Sequence, residues 1–170
     1  TDFRMPSIDG YKPRSSEHYE VGWKHFLTGG LFELSAFYKT RRNVVAMRPD
    51  IFVDDGGWDQ YVMVGSGDSY GLRLYLNKSW RRWMLQFSYA FSRSREWFDD
   101  MPDRGRMPSL YDVPHQLAAA LSYKLNAHSL VSVGGMMRSG KVLEFGDDFN
   151  TPPEDQFRTM REPLVYRVDV

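Results

Sequence analysis

The sequence predicts an all-β fold of the antiparallel, up-and-down transmembrane β-barrel type. Apolar side chains fall on every second residue of successive segments, which gives each strand one greasy face and one polar face. Tight reversals alternate with long polar stretches, so short turns lie at one end of the sheet and long loops at the other. No segment is apolar on both faces, as a strand buried in a covered parallel sheet would be.

Each segment shows the pattern in its own residues. The first places Tyr19, Val21, Trp23 and Leu27 on one face and Glu20, Gly22 and Lys24 on the other, with His25 and Phe26 interrupting the alternation near the turn. After Thr28-Gly29-Gly30, the second sets Phe32, Leu34, Ala36 and Tyr38 against Glu33, Ser35 and Lys39. The third opposes Tyr70, Leu72, Leu74 and Leu76 to Gly71, Arg73, Tyr75 and Asn77. Following a reversal at Lys78-Ser79-Trp80-Arg81, the fourth is the cleanest, with Trp83, Leu85, Phe87, Tyr89 and Phe91 against Arg82, Met84, Gln86, Ser88 and Ser92. The fifth sets Leu117, Ala119, Leu121, Tyr123 and Leu125 against Gln116, Ala118, Ala120, Ser122 and Lys124 before a turn at Asn126-Ala127. The sixth, Leu130 to Arg138, keeps Val131, Val133 and Met137 on its apolar side, blurred by Leu130 and Gly134-Gly135. The last carries Leu164, Tyr166, Val168 and Val170 against Arg167 and Asp169.

The outward register also holds Tyr19, Trp23, Tyr38, Tyr70, Trp83, Phe91, Tyr123 and Tyr166, the amphipathic rings that form girdles at the two headgroup layers of a membrane barrel. A soluble sandwich or barrel with the same faces turned inward is the alternative reading. No apolar run approaches the ~18 residues of a membrane helix, and no cysteine is present for a disulfide framework or a thiolate metal site.

Charge is balanced in total but not in place. The expected loops, roughly residues 41–69, 94–113 and 140–162, hold 16 acids against 9 bases, a net of −7 that leaves +7 elsewhere. Lys78, Arg81 and Arg82 cluster at a short turn, and each long loop carries an acidic pair, Asp54-Asp55, Asp99-Asp100 or Asp147-Asp148. Such pairs suit a hard cation such as Ca²⁺ or a divalent bridge to lipid phosphates, but no Asp-x-Asp-x-Asp-Gly loop is present, and the expectation is solvated loops with no metal and no cofactor.

Three stretches taken in order resemble a known family. KPRSSEHYEVGWKHFLTGGLFELSAFYKTRRNVV (Lys12 to Val45) resembles a late barrel hairpin of TonB-dependent outer-membrane receptors. GSGDSYGLRLYLNKSWRRWMLQFSYAFSRS (Gly65 to Ser94) is similar to the hairpin after it, and DVPHQLAAALSYKLN (Asp112 to Asn126) to the strand start that follows. The combination looks most like receptors of Bacteroidetes-type bacteria. The resemblance implies that residues 1–170 form a partial barrel domain, about seven strands of a wall of roughly 22, without a plug domain or a barrel-closing terminal strand.

By the same resemblance the function is TonB-energised import of a scarce, bulky ligand, a siderophore, glycan, peptide or cobalamin, through the outer membrane of a Gram-negative bacterium. The implied partners are outer-membrane lipid, the rest of the barrel, the N-terminal plug, the TonB complex acting on that plug, and a surface lipoprotein. Inward candidates for lumen or plug contact are Glu20, Lys24, Glu33, Lys39, Arg73, Tyr75, Gln86, Lys124 and Arg167. The loop rings Trp58, Tyr61, Trp97, Phe98, Tyr111 and Phe149 are candidates for ligand capture, since flat rings stack on sugars and planar chelates. Arg104 and Arg106 near Asp99-Asp100 read as ion pairs within their loop.

Catalysis finds no constellation. His18, His25, His115 and His128 lack metal-ligand spacing, no serine lies in Gly-x-Ser-x-Gly, and pairing His115 with Ser88 as a dyad has nothing to support it. The Gly65-Ser66-Gly67 stretch leads into a strand rather than a helix, and no basic face exists for nucleic acid. The chain is therefore expected not to be an enzyme. The competing class is an autonomous eight-stranded outer-membrane barrel with a structural or adhesion role, from which an odd strand count separates the importer.

Overall fold

A computed structural model describes residues 12–47, 62–100, 105–144 and 159–169. Its elements are β1 (Ser15–Leu27), β2 (Gly30–Met47), β3 (Val62–Trp80), β4 (Trp83–Phe98), β5 (Met107–Pro108), β6 (His115–Lys124), β7 (Leu130–Arg138), β8 (Val142–Glu144), β9 (Thr159–Arg161) and β10 (Val165–Asp169). The seven long strands form one antiparallel sheet in the order β1-β2-β3-β4-β6-β7-β10, each beside its predecessor; β5 adds to β4, and β8 pairs with β9 apart from the sheet. Among the described residues this is an up-and-down wall with no crossover.

Register fixes which residues share a face, because directly opposed residues in an antiparallel ladder point the same way. One row runs Trp23, Leu34, Leu74, Tyr89, Leu117, Met137, Tyr166, and the next runs Val21, Ala36, Leu72, Phe91, His115. The opposite face reads Gly22, Ser35, Arg73, Ala90, Gln116, Arg138 and, one row on, Lys24, Glu33, Tyr75, Ser88, Ala118, Met136, Arg167. A concavity of about 830 Å³ lies on this polar side, so the polar face is the inner one.

Among the described residues the apolar face is exposed. Val21 is 72% exposed, Leu72 50% and Val168 67%, while the buried apolar residues among those described are Val44, Val62, Met63, Phe98 and Val142. A soluble sandwich would bury the stripe containing Leu72 and Leu74; here the buried cluster sits at the loop end, and a large bare apolar face marks a lipid-contacting surface. Along β3 the outward stripe extends from Tyr70 to Trp80. Ten steps of about 3.4 Å tilted by about 40° project to about 26 Å, the height of an outer-membrane hydrocarbon band.

The girdle rings lie in this face. Tyr19, Tyr38 and Tyr70 are opposed in one row toward the loop end, and Trp80, Trp83 and Tyr123 in another toward the turns. Trp23 and Tyr166 share a row, yet Trp23 is four residues from the β1 turn and Tyr166 is at the loop end of β10. In a tilted barrel a row perpendicular to the strands crosses the membrane obliquely, which carries the row from one interface to the other.

The turns follow from local geometry. Gly29 adopts φ 72°, and a Cβ there would stand 2.6 Å from the Ser79 carbonyl oxygen, so the β1–β2 turn requires glycine. Lys78 donates to the Thr28 carbonyl at 2.5 Å and joins the two neighbouring turns. Trp80 opposes Trp83, which moves the second reversal from Lys78–Arg81 to Arg81-Arg82, with Arg81 at φ 51°. His25 and Phe26 remain in strand despite breaking the alternation.

The expected loop bounds are also corrected. β2 continues to Met47, β3 begins at Val62 and β4 runs to Phe98, so the ladders rise beyond Tyr38 and Tyr70 into stretches expected as loop. Outside the bilayer both faces of a strand are free to be polar, and the alternation fades while the hydrogen bonds continue. A bulge at Asn43 (φ 55°) shifts register between Arg42 and Val44, placing Val44 on the inner face with Arg41. The Asn43 amide donates to the Pro13 carbonyl at 3.0 Å.

Arginine substitutions on the two faces provide the test. Leu74→Arg, midway along the outward stripe, is expected to lower folding stability in lipid vesicles by about 2–4 kcal/mol, whereas Ala118→Arg on the inner face changes it by less than about 1 kcal/mol. Denaturant unfolding followed by tryptophan fluorescence reads both, and equal costs would show that the faces are misassigned.

Candidate functional site

Two regions of the wall carry functional chemistry, the inner face at mid-height and a buried polar network at the loop end. On the inner face, hairpin register opposes Lys24 to Glu33, and the two form an ion pair at 2.6 Å. Arg73 reaches across β2 to an ion pair with Glu20, passing Gly22 and Ser35, which are too small to block it. Glu20 also accepts from His18 at 3.3 Å.

Phe37 lies between the His18 ring, stacked at 6.0 Å, and the Arg73 guanidinium, 5.6 Å from its centroid. Its ring covers Gly71, where a Cβ would meet the Phe37 ring at 2.8 Å and the Phe91 carbonyl at 2.2 Å. Glycine at this position leaves room for the aromatic ring to lie flat along the wall.

Of the inward candidates, Glu20, Lys24, Glu33, Arg73 and Tyr75 gather around the concavity. Lys39, Gln86, Lys124 and Arg167 share the face but do not line it; Arg167 pairs with Asp169 at 2.8 Å. Sequence reasoning did not single out Gln116, Met136 or Arg138, which line the far side of the concavity. Gln116 was visible in the alternation of its strand; Arg138 required the β6–β7 register, which opposes it to Gln116.

The two halves of the wall differ. Across β1–β3 the inner face carries Glu20, Lys24, Glu33, Lys39 and Arg73, whereas across β4, β6 and β7 the small side chains Ser88, Ala90, Ala118, Ala120, Ser122, Ser132 and Gly134 are interspersed with Gln86, Gln116, Lys124, Met136 and Arg138, and Ser122 and Ser132 are hydrogen bonded at 2.8 Å. The charged half satisfies most of its own ions, so a visiting group meets pairs that must be broken rather than bare charges.

At the loop end the polar groups are buried. Arg41 bridges Glu96 at 2.8 Å and donates to Ser94 Oγ at 2.8 Å, and the hydroxyl of Ser109, 1% exposed, donates to Glu96 at 3.1 Å. Asp112, also 1% exposed, accepts the Ser94 backbone N–H at 2.8 Å and the Arg161 guanidinium at 2.5 Å. Arg161 donates further to the carbonyls of Asp112 and Gly140. One network thus ties the tops of β2, β3 and β4 to the 109–112 segment and to β9.

The loop rings do not converge on one site. Trp97 faces outward beneath the Arg106 guanidinium at 4.8 Å, Phe98 is buried on the inner side over Gly65, and Tyr111 is 73% exposed. Trp58, Tyr61, Phe149, Arg104 and the acidic pairs Asp54-Asp55 and Asp147-Asp148 lie outside the described residues. Among the described residues no three His, Cys, Asp or Glu side chains gather where they could hold a metal ion.

The family model described as TonB dependent receptor-like, beta-barrel matches residues 3–161. The chain belongs to that family. Its outward apolar stripe, uncovered outer face and polar concave wall are those of an outer-membrane receptor barrel. No curated protein and no solved structure matches the chain.

The two ionic regions are expected to differ sharply in energy. A double-mutant cycle on Lys24 and Glu33, whose side chains are 54% and 37% exposed, is expected to give a coupling below about 1 kcal/mol. Asp112→Ala, which leaves Arg161 without its buried partner, is expected to cost about 3 kcal/mol at the rim. Hydrogen exchange and protease cutting between residues 105 and 114 measure the rim, and a cut rate equal to the parent protein's would show that the Asp112–Arg161 bond does not hold this segment.

Proposed function

We propose that this chain supplies part of the wall, lumen surface and extracellular rim of a TonB-energised receptor that imports a scarce, bulky ligand. Membership of the receptor barrel family supports the class, and the concave polar face is the observation that carries the transport reading. A lumen must offer groups that bind weakly and reversibly, and the paired charges of Glu20, Arg73, Lys24 and Glu33 beside a small-residue half meet that condition. The plug is the partner expected against Glu20, Arg73 and Arg138, and further barrel strands are the partners expected beside β1 and β10, the outermost strands of the sheet among the described residues.

A siderophore, glycan, peptide or cobalamin fits the class, with Trp97 and Tyr111 among the described rings at the loop end. The Lys12–Val45 and Gly65–Ser94 stretches support a Bacteroidetes-type receptor. The match to the receptor barrel family, with an up-and-down sheet of seven long strands among the described residues, favours the wide barrel over the eight-stranded one.

Removal of the protein from its host is expected to abolish growth on one of the four ligand classes supplied at limiting concentration, and to leave growth at high concentration intact. Dissipating the proton-motive force should stop uptake of that ligand while surface binding persists. Unchanged growth on all four classes would overturn the proposal.

A further inference from the structure

We propose that Arg81, Arg82 and Lys124 form a cationic collar at the turn end of the wall that docks an acidic segment of a periplasmic protein, an assignment that rests on the receptor reading above. Short turns mark the periplasmic end of an outer-membrane barrel. Segments 25–32, 76–86 and 121–133, which contain the three tight turns, hold Lys78, Arg81, Arg82 and Lys124 and no Asp or Glu. The loop regions carry a net −7, so the wall is polarised from end to end.

The turns hold these charges in place. Ser79 donates its backbone N–H to the Gly29 carbonyl at 2.7 Å and Lys124 donates its own to the Arg82 carbonyl at 2.8 Å, which stitches three successive turns together. Within the third turn, Asn126 Oδ1 accepts the His128 N–H at 2.8 Å and the Ser129 carbonyl accepts the Leu125 N–H at 3.0 Å. Arg82 and Lys124 therefore leave neighbouring strands about 5 Å apart. Lys78 acts as a brace, its amine bonded to the Thr28 carbonyl.

No carboxylate neutralises this end. Among the described residues the ion pairs lie elsewhere, and the acids closest to the turns along the strands are already engaged, Glu33 by Lys24 at 2.6 Å and Asp169 by Arg167 at 2.8 Å. Arg81, Arg82 and Lys124 are exposed. Like charges held this close repel one another, and an anionic chain that bridges them relieves the repulsion.

Direction selects the occupant. Lys124 continues the inner parity of Ala120 and Ser122, and Arg82 is bonded beside it, so both project toward the aqueous mouth of the lumen. The outward register at this height belongs to Trp80, Trp83 and Tyr123, the last two with ring centroids 4.6 Å apart. Lipid headgroups meet the rings, and the collar meets water. Guanidinium groups pair with carboxylates through parallel N–H donors, and an extended acidic chain offers a carboxylate about every 7 Å along one side. Such a chain laid across the turns engages Arg82 and Lys124 together.

The test uses the receptor with its complete barrel in nanodiscs of zwitterionic lipid, and fluorescence anisotropy of a labelled peptide of alternating glutamate and glycine. The same peptide with glutamine in place of glutamate is the control and is expected not to bind. Each exposed pair is worth a factor of about two to three, so Arg81→Gln, Arg82→Gln and Lys124→Gln combined are expected to weaken binding about tenfold. Arg82→Lys is expected to retain affinity that Arg82→Gln loses, and Arg93→Gln with Arg106→Gln at the opposite end to leave it unchanged. Heat-modifiable migration on gels identifies any variant that has not folded, and the Arg82→Lys against Arg82→Gln comparison then decides. Parent affinity in the combined variant, equal binding of the glutamine peptide, or loss of binding in phosphatidylglycerol nanodiscs, where lipid would occupy the cations, would overturn the collar. Ala127→Cys is expected to be shielded from a membrane-impermeant maleimide in intact cells. Labelling there would instead overturn the orientation given by the receptor reading.

Discussion

The constraint on which this structure depends is that hydrocarbon offers no hydrogen bonds, so every backbone N–H and C=O between the girdles must be paired with a neighbouring strand. The ladder from β1 to β4 keeps one unbroken register between the Tyr38–Tyr70 row and the turns, and its single register shift, at Asn43, lies above the girdle. The described prolines obey the same rule. Pro13 stands two residues before β1, Pro114 immediately precedes β6, Pro163 stands two residues before β10, and Pro108 sits in the short rim strand β5, so none removes a donor inside the membrane.

Once the backbone is satisfied, side-chain chemistry divides by parity alone. Odd positions of β3 face the lumen and even positions face lipid, so Arg73 and Leu74 are neighbours in sequence and solvated by different media. This explains how a chain with a quarter of its residues charged can stand in a membrane: the charges share the lumen parity or lie beyond the girdles. Lys78 is the informative exception, outward by register but placed at the turn, where it reaches the Thr28 carbonyl instead of lipid.

The strands were legible because alternation is a local signal imposed separately on each segment. Even the blurred Leu130–Arg138 segment is a strand over those bounds, since its ladder to β6 compensates for Gly134-Gly135. The Lys24–Glu33 pair was equally accessible, because the Thr28-Gly29 turn fixes which residues face each other. The Glu20–Arg73 pair was not, as it spans two strand intervals and depends on the empty space over Gly22. The rim was least legible. Asp112 and Arg161 are 49 residues apart, neither falls in a periodic segment, and both resembled ordinary charges of an acidic loop. The extended tops of β2, β3 and β4 were hidden for a related reason: above the bilayer the pattern that reveals a strand is no longer required.

The positions of the two ionic regions have a mechanical consequence. In the lumen the pairs remain partly exposed, and water can replace one partner at little cost. At the rim, Val44 and Phe98 on the inner face and the 109–112 segment alongside β4 withhold water from Arg41, Glu96 and Asp112, so breaking those contacts strands a buried charge. The wall is therefore adjustable along its inner face and fixed where the loops are rooted. Any rearrangement of the segment between β4 and β6 must pivot outside Ser109 and Asp112, because there the segment is bonded to β4 through both backbone and side chain. With Arg161 bonded to Asp112, β9 is held to the same anchor, and the two segments act as one support at the loop end of the sheet.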